Sequence, residues 1–102
     1  MKLGQAIDRV RKNIIKTHQQ REPICYHASE ALYHLAGGKR KGLKAMRIAE
    51  FGAGCHWFIQ AKYGEIIDLT AGQFKELPDY ASAKGAAFYP TISNHAKELM
   101  KP

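Results

Sequence analysis

The sequence has few cysteines and no long apolar run, and these absences exclude several classes of protein. Its first residues, MKLGQAIDRVRKN, alternate apolar and charged side chains, whereas a secretory signal needs an unbroken apolar stretch. No window of the sequence is long and apolar enough to span a membrane. The two cysteines, Cys25 and Cys55, are too few for a disulfide scaffold and are interpreted as free thiols in a reducing compartment. We therefore expect a cytoplasmic protein with no membrane partner.

Acidic residues are also scarce relative to basic ones. Nine Asp and Glu residues stand against 16 Lys and Arg residues, which gives a formal net charge of +7. The basic residues concentrate in segments 9–21 and 39–47. Such patches attract acidic proteins, nucleic acid or anionic surfaces. Because no helix-turn-helix spacing, zinc knuckle or aromatic RNA-binding signature accompanies them, a solvated basic face is favoured over a nucleic-acid site.

The length and composition fit one globular domain. The chain has 102 residues, of which 45% are hydrophobic and 25% are charged, and it contains neither internal repeats nor a linker. A chain of this size can build a single core but not two. Residues 1–102 are therefore predicted to form one domain.

The spacing of apolar residues predicts two helices in the first part of the chain. Segment 3–17 has the helical pattern Leu3, Ile7, Val10 and Ile14, with basic residues on its outer side. A second apolar stripe begins at Cys25, after Pro23, and a helix there would end at Gly37 and Gly38. Glu30, within this second helix, is expected to pair with basic residues on the surface.

The second part of the chain predicts strands and a closing helix. AMRIAEF, from Ala45, alternates as a strand does, a turn GAG follows, and two further apolar runs flank Gly64. KELPDYASAKGAAFYP is expected to be irregular or weakly extended, and TISNHAKELM to form a helix capped by Thr91 or Ser93. The predicted class is therefore α+β, with N- and C-terminal helices and a small antiparallel sheet packed on the second helix.

The loop between the last two strands decides whether His56 and Asp68 can meet. A two-residue loop would place them on opposite faces of the sheet. A three-residue loop, residues 62–64, shifts the strand register by one residue and so reverses the face on which each side chain lies. Asp68 then lies opposite Phe58 and diagonal to His56. Three-residue loops commonly need a left-handed residue at their third position, and Gly64 stands there. The sequence therefore predicts that His56 and Asp68 share one face.

A histidine oriented by a carboxylate can activate a thiol, and two thiols are candidates. Cys25 lies in the first turn of its helix, where unpaired N–H groups and the helix dipole stabilise a thiolate. Cys55 is adjacent to His56, so on a strand their side chains point to opposite faces. Cys25 is therefore the preferred nucleophile. The alternative is that Cys25 is a small apolar core residue, since it begins the buried stripe of its helix.

The segments PICYHASEALYHLAGG and HWFIQAKYGEIIDLTAGQF together resemble the small papain-fold proteins of phages and bacteria, including papain-fold toxins and protein-glutaminase-like domains. The resemblance covers residues 22–74. It implies a minimal papain-like fold, in which a cysteine-bearing helix packs on an antiparallel sheet. It also implies that Cys25 is the nucleophile, His56 the general base and acid, and Asp68 the orienting carboxylate. Either Gln19 or Gln20 would donate to the oxyanion.

This resemblance implies a cysteine hydrolase or acyltransferase that acts on an amide and needs no cofactor. Deamidation, proteolysis and transacylation all remain open, as do the substrate and the oligomeric state. His56 is only 31 positions after Cys25, far fewer than in full papain-like proteases, which leaves little room for a peptide cleft. We therefore favour a small acyl target, such as a glutamine side chain on a partner protein. A phage-encoded protein of this kind would act in the host cytoplasm.

Three alternatives stay open at this point. The first is a catalytically inactive papain-fold module that grips a host protein or nucleic acid through its basic surface. The second is a metal site built from Cys25, His27, Cys55 and His56, which is disfavoured because CYH and CH lack the spacing of zinc motifs. The third is nucleic-acid binding by the basic patches alone.

Overall fold

Three α-helices and four β-strands make up the part of the chain that the computed structural model describes, which is residues 1–17, 24–51, 54–71 and 77–102. The helices are α1 (Leu3–Thr17), α2 (Cys25–Leu35) and α3 (Asn94–Met100). The strands are β1 (Lys44–Phe51), β2 (Gly54–Gln60), β3 (Ile66–Ile67) and β4 (Lys84–Ala86). Short 3-10 turns occupy Gly38–Lys41 and Tyr80–Ser82. The α+β class predicted from the sequence is confirmed.

The four strands form one antiparallel sheet in the order β3-β2-β1-β4. The central pair, β1 and β2, aligns Lys44 with Gln60 and Ile48 with His56. On the other side of β1, Ala45 pairs with Ala86 of β4. The segment that contains β4 was expected to be irregular or weakly extended, and it supplies this short edge strand. Gly52 and Ala53, in the expected GAG turn, lie outside the described residues.

Helices α1 and α2 bury the apolar stripes that their sequences predict. In α1 the buried face includes Ala6, Val10 and Ile14. In α2, Ala28 and Leu32 join the same core cluster as Ile59 of β2. Full burial of a side chain such as Leu32 or Ile59 contributes about 1.5–3 kcal/mol, so this helix–sheet contact is a main source of stability. Helix α2 ends as predicted, with Gly37 in the left-handed conformation at φ 99°.

Helix α3 is held at both ends by side chains. At its start Ser93, one of the two predicted caps, accepts a hydrogen bond at 3.1 Å from the N–H of Ala96. At its end the buried Asn13 of α1 donates to the carbonyls of Leu99 and Lys101, at 2.9 and 2.7 Å. These bonds satisfy backbone groups that a helix end leaves unpaired. None of the described helices is long and apolar enough to cross a membrane.

Candidate functional site

The β2–β3 hairpin has the register that its loop predicts. Ile59 pairs with Ile67 and Gln60 with Ile66, while the N–H of Ala61 donates to the carbonyl of Glu65 at 2.8 Å. The loop is therefore three residues long, and Gly64 adopts φ 89°, a conformation that glycine takes without steric cost. This register places Asp68 opposite Phe58 and diagonal to His56, as predicted.

His56 and Asp68 form a short buried hydrogen bond. The distance from His56 Nε2 to Asp68 Oδ2 is 2.6 Å, and the two side chains are 0% and 4% exposed. An ionised carboxylate can only accept, so Nε2 carries a hydrogen and donates it to Asp68. Burial makes this interaction stronger than it would be in water. Asp68 therefore fixes the orientation of the ring and the position of one of its protons.

Asp68 is itself held by two further residues. The hydroxyl of Tyr80 donates to Oδ2 at 2.8 Å, and the backbone N–H of Thr70 donates to Oδ1 at 3.2 Å. The hydroxyl of Thr70 makes a longer contact with Oδ1 at 3.4 Å. Burial raises the pKa of Tyr80 above its usual value, and the bond to the Asp68 carboxylate raises it further. The carboxylate therefore receives several donors from separate parts of the chain.

Tyr80 was not found from the sequence. It lies in the 3-10 turn within a segment that was expected to be irregular, and its ring packs edge-on against Phe58 with centroids 5.0 Å apart. No periodicity or motif in PDYAS connects this residue to the hairpin. Only the packing of the segment across the sheet brings the hydroxyl to Asp68. Thr70 was likewise given no role from the sequence.

Cys25 lies beside this pair, at the first turn of α2. Its Sγ is 3.7 Å from the carbonyl oxygen of Cys55, and its side chain lies near enough to the His56 ring to raise the pKa of that ring. Because Nε2 of the ring faces Asp68, Nδ1 is the nitrogen available for Cys25. Cys25 is buried but keeps 7% of its surface exposed. The structure therefore brings Cys25, His56 and Asp68 together in that order.

The start of α2 also offers backbone donors near the sulfur. Ile24 precedes Cys25 and has an apolar side chain, so it cannot cap the first N–H groups of the helix. Such groups, with the positive end of the helix dipole, favour a negative charge at this position. They could stabilise a thiolate or an oxyanion. Gln19 and Gln20, expected to aid the oxyanion, lie outside the described residues.

The His56 ring holds its second proton more tightly than an ordinary histidine. Burial lowers the pKa of His56, but the hydrogen bond to Asp68 and the interactions with the Asp68 and Cys25 side chains outweigh it, so that the pKa rises to about 9. The ring is therefore largely an imidazolium near neutral pH.

The expected location of Glu30 is wrong. Glu30 is 0% exposed and accepts hydrogen bonds from Ser93, from Oγ at 2.8 Å and from the N–H at 3.2 Å. The hydroxyl of Tyr26 donates to its other oxygen at 3.5 Å. The sequence pattern failed here because α2 is covered by α3 on the side that carries Glu30, and periodicity in α2 alone does not reveal that neighbour.

The metal alternative gains no support from the described residues. Among residues 1–17, 24–51, 54–71 and 77–102, no group of three or more His, Cys, Asp and Glu side chains is arranged to hold a metal ion. His27, one of the four suggested ligands, instead places Nδ1 2.8 Å from Ser93 Oγ. It thus belongs with Glu30 rather than with Cys25 and His56.

Comparison with known proteins found no matching protein-family model, no matching curated protein and no matching solved structure.

Proposed function

We propose that this protein is a cysteine-dependent amidohydrolase or acyltransferase of the small papain-like kind. Cys25 is the nucleophile, His56 the general base and acid, and Asp68 the residue that orients the imidazole. The observation that carries the proposal is the chain of contacts from the Cys25 side chain to the His56 ring and from Nε2 to Asp68 at 2.6 Å. A thiol, an imidazole and a carboxylate in this order are the parts of an activated nucleophile.

The proposed reaction passes through an acyl-enzyme. The Cys25 thiolate attacks the amide carbon, and N–H groups at the start of α2 stabilise the oxyanion that forms. The imidazolium of His56 then gives its proton to the leaving nitrogen, the C–N bond breaks, and ammonia or an amine departs. A water molecule attacks the thioester and gives a proton to His56, and the thiolate leaves with a carboxylic acid as product. Asp68 holds the Nε2 proton throughout.

The burial of the site favours a slender substrate group. Cys25 is 7% exposed and His56 is 0% exposed, so only a narrow group reaches the sulfur. The amide side chain of glutamine on a partner protein fits this requirement better than a long peptide backbone does. Deamidation is therefore the favoured form of the reaction, it needs no cofactor, and its setting is a reducing cytoplasm in which Cys25 stays a thiol.

The same burial also favours a second candidate, a papain-like binding module without turnover. In that case the buried Cys25, His56 and Asp68 would stabilise the fold, and the basic surface, with a net charge of +7, would hold a host protein. The two candidates differ in the reactivity of one sulfur.

Alkylation by iodoacetamide at about pH 6.5 separates these candidates. A thiolate paired with imidazolium should react roughly tenfold faster than free cysteine, because its larger thiolate fraction outweighs its lower intrinsic nucleophilicity. Mass spectrometry assigns the adduct, and the Cys55→Ala and Cys25→Ala variants separate the two thiols. Cys25 labelling at or below the rate of free cysteine would contradict the enzyme proposal and favour the binding module.

A second measurement addresses the chemistry itself. The parent protein and Cys25→Ala are incubated with a panel of folded proteins that carry exposed glutamines, and ammonia release and a mass change of one amide to one acid are followed. The proposal predicts both signals for the parent on at least one protein and neither for Cys25→Ala. Equal signals from the two proteins would exclude Cys25 as the nucleophile.

A further inference from the structure

A groove lies away from the Cys25 site, between the C-terminal end of α2 and strand β4. Its volume is about 870 Å³, within the range of about 300–1,000 Å³ that is usual for ligand sites. Its walls are mainly apolar, aromatic and small, and they include Tyr33, Leu43, Ala45, Gly85, Phe88 and Tyr89. Tyr89 is 77% exposed, so its aromatic ring is open to solvent at one end of the groove.

One side of the groove is the edge of the sheet. Strand β4 is last in the strand order and pairs with β1 on one side, and within the described residues no strand pairs with its other side. Lys84, Gly85 and Ala87 are exposed there, and a side-chain atom added at Gly85 would meet nothing within 4 Å. A free edge offers backbone N–H and C=O groups to an extended peptide.

The basic residues around the groove favour a partner with negative charge. Lys39 and Lys44 lie in its lining together with His34, and no Asp or Glu is among the described lining residues. Lys84 is exposed on β4 next to it, and the chain as a whole carries +7. An acidic segment is attracted to this rim, and a basic one is repelled.

Ring packing and one hydrogen bond connect the groove to the residues that follow Cys25 and His56 in the chain. Phe88 stacks on Trp57 with ring centroids 5.3 Å apart, and the N–H of Tyr89 donates to the hydroxyl of Tyr26 at 2.8 Å. Tyr26 follows Cys25 in the chain and Trp57 follows His56. A segment held in the groove would therefore lie on the same packed aromatic cluster that supports the site.

We infer that this groove binds an extended, acidic segment of a partner protein, which adds a strand to β4 and places apolar side chains among the aromatic residues. The segment's carboxylates face Lys39 and Lys44. Peptide is favoured over nucleic acid because the edge of β4 offers main-chain pairing and the lining is apolar. The inference does not depend on the chemistry of Cys25, so Cys25→Ala should bind the segment as the parent does.

The test uses fluorescence anisotropy with labelled synthetic peptides in which Val alternates with Glu. The same sequence with Lys in place of Glu tests charge, and a version with proline at alternate positions removes the N–H groups that a strand needs. A single-stranded oligonucleotide tests the nucleic-acid alternative. We expect binding of the Glu peptide and loss of binding for both peptide variants. Equal binding of the proline version, or preferred binding of the oligonucleotide, would overturn the inference.

Protein variants locate the binding surface. Ala86→Trp, at the lining position that pairs with Ala45 on the α2 side of the sheet, fills the groove and should abolish binding, whereas Gly4→Trp adds the same ring at an open, exposed position of α1 and should not. Lys39→Glu combined with Lys44→Glu should weaken binding by roughly tenfold, because attraction becomes repulsion at two sites. The matched pair Lys12→Glu and Lys97→Glu makes the same change in net charge on α1 and α3. Equal losses in both pairs would show a non-specific charge effect and refute the groove.

A second copy of the chain is the other possible occupant. Sedimentation at increasing protein concentration detects it, because self-association through the groove would be removed by Ala86→Trp and kept by Gly4→Trp. Concentration-dependent association with that pattern, and no binding of the Glu peptide, would replace the acidic partner with a dimer.

Discussion

Asp68 and Glu30 are both buried carboxylates, yet they sit in two regions of the molecule with different partners. Asp68 accepts from the His56 ring at 2.6 Å and from the Tyr80 hydroxyl at 2.8 Å. Glu30 accepts from the hydroxyl and the N–H of Ser93 and from the hydroxyl of Tyr26. Asp68 thus meets a group that can carry a positive charge, whereas the donors at Glu30 are neutral.

The histidines near the two carboxylates differ in the same way. The pKa of His56 is raised to about 9, since the hydrogen bond to Asp68 and the interaction with Cys25 outweigh the effect of burial. The pKa of His27, which bonds Ser93, is lowered from its usual value by burial and by the neighbouring His95, against the attraction of Glu30. One region therefore pairs its carboxylate with a protonated imidazole. The other pairs its carboxylate with neutral donors and fastens α2 to the start of α3.

The largest expected difference between the regions is the response of stability to pH. Folded His56 binds a proton up to about pH 9 and unfolded histidine only up to about 6.5, so its contribution is full below pH 6.5 and is lost as pH rises through 9. The loss should reach about 3 kcal/mol, because each pKa unit corresponds to about 1.36 kcal/mol. Urea unfolding between about pH 6 and 9 measures it, below the range in which tyrosines titrate.

Two variants test whether this alkaline loss of stability comes from the Asp68 region. Glu30→Gln should keep the alkaline loss of stability, and Asp68→Asn should remove most of it. His27 acts with the opposite sign: its folded pKa is lowered, so its contribution is lost as pH falls below about 6.5. A parent protein with equal stability across the alkaline range would refute the raised pKa of His56.

A smaller effect is expected when the network at Glu30 is cut at Ser93. Ser93→Ala removes the cap of α3 and a hydrogen bond to a buried carboxylate, and should lower the free energy of unfolding by about 2 kcal/mol. The matched change in the other region is Thr70→Val, which removes only a 3.4 Å contact to Asp68 and should cost about 0.5 kcal/mol. Urea unfolding at one pH compares them. Equal losses would mean that the two carboxylates are held alike.

The smallest difference in free energy is expected in the reactivity of Cys25. Asp68→Asn should slow alkylation of Cys25 about tenfold at roughly pH 6.5, because the imidazolium that favours the thiolate is destabilised. Glu30→Gln changes a carboxylate of the same helix that bears Cys25, but it should leave the rate within about twofold, since Glu30 has no contact with His56 among its described bonds. A slower rate in both variants would point to a general loosening of α2.

Sequence patterns predicted the local parts of the site better than the long-range ones. The length of the hairpin loop and Gly64 predicted the side of the sheet on which Asp68 lies, and the helix signals placed Cys25 in the first turn of α2. These features depend on residues near each other in the chain. Tyr80 and the burial of Glu30 depend on how the segment 77–83 and α3 pack across the molecule, and no local pattern encodes that packing.

The burial of the catalytic candidates also follows from packing that the sequence does not show. Trp57 and Ile59 lie on one face of β2, and Ile59 is fully buried. The opposite face carries Phe58 and His56, and both are almost fully buried as well. Tyr80 covers Phe58 on that face. Alternation along a strand identifies two faces, but it does not tell how deeply each is covered.

The three-residue loop at Lys62, Tyr63 and Gly64 has a consequence for how this protein can change over evolution. Lys62 and Tyr63 are exposed, so substitutions at these positions should cost little stability. The length of the loop is more constrained. A single insertion or deletion in it would move every later side chain of the hairpin to the opposite face of the sheet and carry Asp68 away from His56. Selection on the buried His56–Asp68 pair should therefore act on the length of an exposed loop and leave its sequence free to vary.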